Sequence, residues 1–352
     1  MRKDDEKTRL GARQAWALIA AVAALTVLCT VTGGSGRELE TYAIAAGAAL
    51  DRGEGGRVRL TLEVADVSGG EAEGPTGSLC FSAEGETMSD ATLALERQMG
   101  KPIYWSHASI LLLSQELCRD GIETIAEWVL RAYTLRIAVP LAVTEGESGA
   151  LLRQKLEFFS VCSYGLRSLL DNARENGTGV EMPVYSVYGA MKSASKTAVL
   201  PLLSTRGESP VLSGAAVVRE GKLCGSLSEE ETVIFRLMTD GIPQGVLTAQ
   251  GRSFRTDQTQ VSLSAAPSGE TLSFFVRAEL DQGDPGGNPG EILQEALTRR
   301  AEALWKKAQR LDADLFGLKN ARLRARLPEK ELAELSPAIF CEVYLVDYGQ
   351  SE

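Results

Sequence analysis

The sequence predicts an α+β protein: an N-terminal membrane anchor followed by two or three mixed α/β subdomains with largely antiparallel sheets flanked by helices. Three observations support this prediction. An uncharged run occupies residues 15–31, strand-like alternation recurs along the body, and helical stripes separate the strands. At 352 residues, with 44% apolar and 24% charged residues, the chain has a globular composition and enough length for two domains behind the anchor.

The uncharged run AWALIAAVAALTVLCTV is as long as the shortest helix that crosses a hydrocarbon core of about 30 Å. In residues 1–13 basic residues outnumber acidic ones, so the positive-inside tendency predicts a cytoplasmic basic head and an exported body. We therefore expect a transmembrane anchor or signal segment at residues 14–33. A cleaved signal peptide, with the small residues 32–36 as its processing site, is the competing interpretation.

Charge and cysteine usage exclude several function classes. The net charge of −10, with no basic block in the body, argues against a nucleic-acid partner. The six cysteines are irregularly spaced and form no C-x-x-C, so they predict neither a zinc ribbon nor a thioredoxin-like site. Because a body of this size needs no covalent staples, buried free thiols are favoured over disulfides.

The first half of the body alternates between strands and helices, and its strand 108–113, helix 121–132 and strand 137–143 form a crossover unit. Strict alternation in RVRLTLEV, after the turn RGEGG, predicts that the first two strands form a hairpin. The other elements in this half are the strands 37–50, 57–64 and 79–83, the helices 87–99, 158–176 and 183–191, and the strand 198–204.

We place a domain boundary at residues 206–210, and the signals beyond it are clearer. A short connection at Glu220 and Gly221 predicts a second hairpin, Ser228 with Glu231 forms a capping box, and Asn288 with Pro289 begins a long helix. The elements are the strands 211–219 and 222–227, the helix 229–240, the strands 245–250, 259–265 and 271–280, a helix carrying apolar residues from 293 to 311, and the strand 338–346.

Four short segments, in this order, resemble the Ger(x)C family, the C subunit of spore germinant receptors. They are REL at 37–39 with AIAAG at 43–47; YWSHA at 104–108, which leads into LLL at 111–113 and then Glu116 and Leu117; LSGAAVV at 212–218 with KLCGSL at 222–227; and DLFGL at 314–318. The resemblance covers nearly the whole chain and implies family-like domains at residues 36–205 and 206–350.

The resemblance implies a non-enzymatic, membrane-tethered subunit that is needed for nutrient-triggered spore germination. Its expected partners are a multi-pass A subunit and a permease-like B subunit, with the body on the extracytoplasmic face of the spore inner membrane. It implies no cofactor and no catalytic residues. The alternatives are a free-standing extracytoplasmic ligand-binding protein and a Ser/Lys hydrolase.

One departure from the family pattern concerns the lipid anchor. Family members usually end the apolar segment with a lipobox cysteine, but here Gly33 occupies that position, followed by Gly34 and Ser35. Cys29 is the nearest cysteine, and the residue before it, Leu28, is larger than a lipobox requires. We therefore expect no lipidation and an uncleaved helix as the tether, with Cys29 as the alternative acylation site.

Other chemical motifs have simpler interpretations. His107 is the only histidine, so no ordinary triad or histidine metal site can form, and we expect it to be hydrogen-bonded and structural. Ser193 and Lys196 fit S-x-x-K without its companion motifs, which makes chance the better explanation. The glutamates at 229–231 lie in a first helical turn, where carboxylates interact favourably with the helix dipole. We expect the glycines at 283–290 to form a loop, and the glycosylation triplet at 176–178 has no expected use in a bacterial protein.

Overall fold

The computed structural model describes residues 41–66, 77–132, 134–207, 209–283 and 286–346, together with Trp16, Val22 and Ala23. The cytoplasmic head, nearly all of the predicted anchor, and the candidate lipidation positions Cys29 and Gly33 lie outside the described residues. Within the described part, no helix has both the length and the apolar character that a membrane span requires.

Nine strands form a large mixed sheet with the order β3-β2-β1-β5-β6-β7-β8-β9, and β4 pairs with β1 beside β5. The hairpins predicted around residues 52–56 and at Glu220 and Gly221 are confirmed. The strands are β1 (Ala43–Arg52), β2 (Val58–Asp66), β3 (Gly77–Gly85), β4 (Ile103–Tyr104), β5 (Leu111–Ser114), β6 (Leu141–Thr144), β7 (Thr197–Arg206), β8 (Ser209–Arg219) and β9 (Lys222–Leu227).

The expectation of largely antiparallel sheets is wrong for the middle of this sheet. There β1, β5, β6 and β7 run parallel, flanked by antiparallel pairs on each side. Helical connections after β5 and β6 return the chain to the starting end of the sheet, so each following strand runs in the same direction. The predicted crossover unit of strand, helix and strand is part of this arrangement.

Helices cover both faces of the large sheet. The helices α1 (Met88–Met99), α2 (Gln115–Asp120), α3 (Glu123–Arg131) and α6 (Val184–Lys192) pack on one face; α4 (Ser148–Leu152) and α5 (Cys162–Glu175) pack on the other. Thr87 caps α1 and Gly100 ends it in the left-handed conformation. Because both faces are covered, central strands such as β5 and β6 are buried at every residue.

A four-stranded sheet with the order β10-β11-β12-β13 follows, covered on one face by α7 (Glu229–Thr239) and α8 (Pro289–Arg310). Ser228 and Glu231 form the predicted capping box of α7, and Asn288 caps α8 with Pro289 in its first turn. The strands are β10 (Gly245–Ala249), β11 (Arg252–Ala266), β12 (Gly269–Gln282) and β13 (Ala338–Val346); α9 (Leu318–Arg324) precedes β13. The last strand is parallel to β12.

The predicted boundary at residues 206–210 falls at the turn between β7 and β8, where Arg206 pairs with Ser209. These two strands belong to one sheet, and Val217 of β8 shares a core with Phe274 of β12. The two sheets are therefore joined through a common apolar core. The division into two domains stays a prediction.

Candidate functional site

The segments that carried the family resemblance form defined contacts, except for residues 37–39, which are not among the described residues. AIAAG lies in β1, which pairs in parallel with β4 and β5 of the second segment. Gly47 in AIAAG is required by a close approach, because a Cβ there would lie 2.1 Å from the Ser163 hydroxyl oxygen of α5. The third segment is the hairpin of β8 and β9.

The fourth segment, DLFGL, joins the two sheets through the buried side chain of Asp314. One carboxylate oxygen accepts a hydrogen bond from the Leu318 amide (2.9 Å), which begins α9. The other accepts hydrogen bonds from the Lys319 amide (2.8 Å) and from the Ser195 hydroxyl (2.6 Å), at the start of β7. Asp314 is 4% exposed, so these bonds form away from water.

Further contacts extend this joint between residues 193–195 and residues 312–320. The Ser195 amide donates to the Asn320 side-chain oxygen (3.3 Å), and the Asn320 amide group donates to the Ser193 hydroxyl (3.4 Å). Arg219 at the end of β8 pairs with Asp312 at 2.7 Å. We call these residues, with Asp314, the Asp314 joint.

The Ser/Lys motif lies within this joint, but its two side chains have separate partners. The Ser193 hydroxyl donates to the carbonyl oxygen of Ala190 in its own helix (2.8 Å). Lys196 is exposed and its amine donates to Glu220 at 3.0 Å. A Ser/Lys nucleophile requires a desolvated amine, and the exposed, ion-paired amine of Lys196 does not meet this condition.

Two carboxylates buried under α4 and α5 were missed by the sequence analysis. Glu63 of β2, 1% exposed, accepts hydrogen bonds from the amides of Cys162 and Ser163, both at 2.7 Å, and from the Ser163 and Ser78 hydroxyls. These amides begin α5, so Glu63 acts as a helix cap that comes from a neighbouring strand.

Asp51 of β1 caps α4 in the same way. Its carboxylate oxygens accept hydrogen bonds from the amides of Ser148 (2.7 Å) and Gly149 (2.8 Å). Burial raises the pKa of Asp51 above its usual range, and the two backbone hydrogen bonds oppose that shift. The available sequence signal was an acidic residue inside an otherwise apolar strand.

The sequence analysis also singled out the histidine and the cysteines. His107 is exposed, and its ring lies 5.6 Å from that of Tyr104. The five described cysteines are free thiols, but Cys224 is exposed. Burial raises the pKa of Cys118 and Cys162 to about 12, which makes these thiols poor nucleophiles.

Within the described ranges, no group of three or more His, Cys, Asp or Glu side chains is placed to hold a metal ion. A cleft of about 480 Å³ lies between α5, β8 and α7. Its lining combines apolar side chains with amides and carboxylates: Leu169, Asn172, Ala173, Asn176, Thr178, Leu212, Glu229, Glu230 and Val233.

Comparison with known proteins relates this chain to a family of spore germination proteins. Residues 35–205 match the family model described as the spore germination protein N-terminal domain. A Bacillus cereus protein described as spore germination protein GerQC is 22% identical over 292 residues, which cover 77% of this chain and 80% of that protein.

Through these matches the chain is similar to the Ger(x)C family of spore germination proteins. The family match spans β1 to β7 and therefore includes both buried helix caps, Asp51 and Glu63, as well as Ser195 of the Asp314 joint. Among solved structures, the crystal structure of the GerBC protein is similar with a TM-score of 0.49 and 16% identity, and the match covers 86% of this chain and 97% of that one.

Proposed function

We propose that this chain is a non-enzymatic, membrane-tethered subunit of a spore germinant receptor, needed for nutrient-triggered germination. The family match over residues 35–205 carries the proposal. The engagement of Ser193 and Lys196 in separate structural contacts supports the non-enzymatic part. The body would act by association rather than by chemistry.

The proposal includes partners and location. A multi-pass A subunit and a permease-like B subunit would bind the chain, with residues 1–13 in the cytoplasm and residues 14–33 crossing the spore inner membrane. The regions 36–205 and 206–350 would then be two extracytoplasmic domains. With Gly33 at the lipobox position, the tether would be the helix itself and Cys29 would remain unmodified.

A pull-down from membranes of sporulating cells tests the association. Tagged chain is extracted in mild detergent, and co-purifying proteins are identified by mass spectrometry, with an untagged strain as the control. We expect multi-pass and permease-like receptor subunits in the tagged sample alone. Recovery of the tagged chain without them would favour a free-standing protein.

Germination of complemented spores tests the non-enzymatic assignment. Spores that carry Ser193→Ala should germinate at the wild-type rate in nutrient, whereas spores without the chain should not respond. Loss of the response with Ser193→Ala, at normal protein abundance, would favour the hydrolase. Metabolic labelling with a fatty acid in the same strains should leave the chain unlabelled, and label at Cys29 would contradict the helical tether.

A second candidate function, binding of a small extracytoplasmic ligand, is favoured by the cleft between α5, β8 and α7. Its lining combines apolar side chains with amide and carboxylate groups, which a ligand site requires. Val233→Trp would fill the cleft. An unchanged nutrient response in spores that carry this variant would show that the receptor function does not depend on a ligand there.

A further inference from the structure

A second cleft, of about 300 Å³, lies between α8 and the turn that joins β10 to β11. A volume near this value is at the lower end of the range for small-molecule sites. The described lining consists of three alanines, one glutamine and two arginines: Ala249, Gln250, Ala296, Arg299, Arg300 and Ala303. The cleft between α5, β8 and α7 has glutamates as its charged lining residues, whereas the described lining of this one carries only cations.

The wall that comes from the small sheet is a tight turn. Ala249 of β10 pairs with Arg252 of β11, so only Gln250 and Gly251 connect the two strands. Both connecting residues have a positive φ, of 48° and 77°, which is typical of the type I′ turn of a two-residue hairpin. Residues 241–256, which include β10 and this turn, contain no aspartate or glutamate. This wall therefore brings no carboxylate that would compete for a cation.

The wall that comes from α8 carries the two arginines, and they differ in their neighbours. Side chains three and four positions apart lie next to each other on a helix surface. Arg299 has Glu295 and Glu302 at such positions and is exposed. Arg300 is partly buried, and its neighbours at these positions are all apolar: Ala296, Leu297, Ala303 and Leu304. Arg300 is thus the guanidinium for which α8 supplies no carboxylate.

The cleft combines this cation with apolar surface. A guanidinium without a carboxylate partner binds a carboxylate or phosphate group through two parallel hydrogen bonds. Ala249 and Ala296 are buried, so the part of the lining next to the arginines is apolar. The Gln250 side-chain amide adds one group that both donates and accepts hydrogen bonds. A ligand that matches this lining has an anionic head and a short hydrocarbon part.

We propose that this cleft binds a small organic anion, with its carboxylate or phosphate group at Arg300 and Arg299 and its hydrocarbon part against the alanines. The inference is independent of the proposed receptor function, because it rests on the cleft alone. The chain has a net charge of −10, so its overall field repels anions. Binding of an anion here therefore depends on these two side chains.

Methyl NMR of the full-length chain in phosphatidylcholine nanodiscs tests the site. With carbon-13 in the alanine methyl groups, Ala249, Ala296 and Ala303 report on the cleft, and the buried Ala126 of α3 reports on the rest of the fold. We expect hexanoate to shift the three cleft signals saturably and to leave Ala126 unchanged. Acetate should bind at least about tenfold more weakly, because it buries fewer CH2 groups. Cleft signals that do not respond to hexanoate would overturn the inference.

Matched variants assign the binding to the arginines. Arg300→Gln should weaken hexanoate binding at least about tenfold, because it removes the charge-assisted hydrogen bonds. Arg299→Gln should weaken it less, since Glu295 and Glu302 also attract that side chain. Arg310→Gln is the control, because it removes the same charge from an exposed position of α8 outside the described lining. Wild-type affinity in Arg300→Gln, or an equal loss in the control, would overturn the inference.

A second probe distinguishes the two possible head groups. Pentyl phosphate has the same hydrocarbon chain as hexanoate but carries a phosphate group in place of the carboxylate. Tighter binding of hexanoate would support the inference with a carboxylate ligand, and tighter binding of pentyl phosphate would support it with a phosphate ester. Binding of either probe that is unchanged in the double variant Arg299→Gln, Arg300→Gln would overturn it.

Discussion

The two sheets bury acidic side chains in different ways. Under the large sheet, the carboxylates of Glu63 and Asp51 accept hydrogen bonds from backbone amides at helix N-termini. At the small sheet, Glu270 pairs with Arg322 of α9, and both side chains are almost fully buried. Arg322 also donates two hydrogen bonds to the Pro328 carbonyl oxygen.

The two kinds of partner lead to different effects on stability when the carboxylate is removed. A carboxylate held by amides is stabilised by the helix that it caps, so its loss is felt as fraying of that helix. A carboxylate held by a buried cation leaves an uncompensated charge when it is removed. Asp314 belongs to the first type, although it connects the two sheets. Four predictions test this comparison.

Breaking the buried ion pair should have the largest effect. Glu270→Ala leaves the Arg322 guanidinium buried without its carboxylate, and we expect it to lower the free energy of unfolding by about 3–5 kcal/mol. The double variant Glu270→Ala, Arg322→Met should lose less, because it removes both charges. Arg255→Ala, which breaks an exposed pair with Asp281, is the control and should change stability by at most about 1 kcal/mol.

Urea unfolding of the four proteins measures these differences. The comparison fails if the double variant is as unstable as Glu270→Ala, since the cost would then come from lost packing rather than from the unpaired charge.

Removing the cap of α5 should be the next largest effect. Glu63→Ala deprives the amides of Cys162 and Ser163 of their acceptor, and we expect a loss of about 2–3 kcal/mol. Glu63→Gln keeps one acceptor oxygen and should lose less. Hydrogen exchange should accelerate first in the opening turn of α5. Uniform acceleration throughout the large sheet would contradict the assignment of Glu63 as a local cap.

In the Asp314 joint, we expect the loss of the Ser195 hydroxyl to lower stability less than the loss of Glu63 does. Ser195→Ala removes one hydrogen bond to a charged acceptor and should cost about 1.5–2 kcal/mol, with the backbone bonds of Asp314 still in place. Ser193→Ala removes a hydrogen bond to the Ala190 carbonyl oxygen (2.8 Å) and one from the Asn320 side chain (3.4 Å). It is the matched control and should cost less, because neither bond involves a charged group. A double-mutant cycle of Ser195→Ala with Asp314→Asn measures the coupling. A coupling energy of zero would show that the Ser195 and Asp314 side chains do not stabilise each other.

The smallest effect should be a pH dependence that originates at Asp51. Its pKa in the folded protein is raised above the unfolded value near 3.8, so the folded state binds the proton more tightly. The stabilising contribution is complete below pH 3.8 and is lost as the pH rises through the folded pKa. Unfolding of wild type and Asp51→Asn at several acidic pH values tests this. A wild-type advantage that grows with pH would show that the Ser148 and Gly149 amides outweigh burial.

Much of the fold follows from local sequence. Alternation in RVRLTLEV, the capping box at Ser228 and Glu231, and the Asn-Pro start of α8 each specify an element through contacts within a few residues. The predicted crossover unit accounts for the parallel pair of β5 and β6, but the parallel pairing of β1 with β5 and of β6 with β7 was not predicted. Short apolar strands carry no sequence signal for their neighbours in the sheet. The exposed positions of His107 and Cys224 also depend on distant packing.

By itself, the sequence determined the family resemblance, the order of nearly all elements and the uncharged run before the body, because these depend on residue identity and local spacing. Only the tertiary structure decided which acidic residues are buried, and that the Ser195 hydroxyl donates a hydrogen bond to Asp314. The physical reason is distance along the chain. Ser195 and Asp314 are 119 residues apart, and Glu63 and Ser163 are 100 apart, so only the folded sheets bring these groups together.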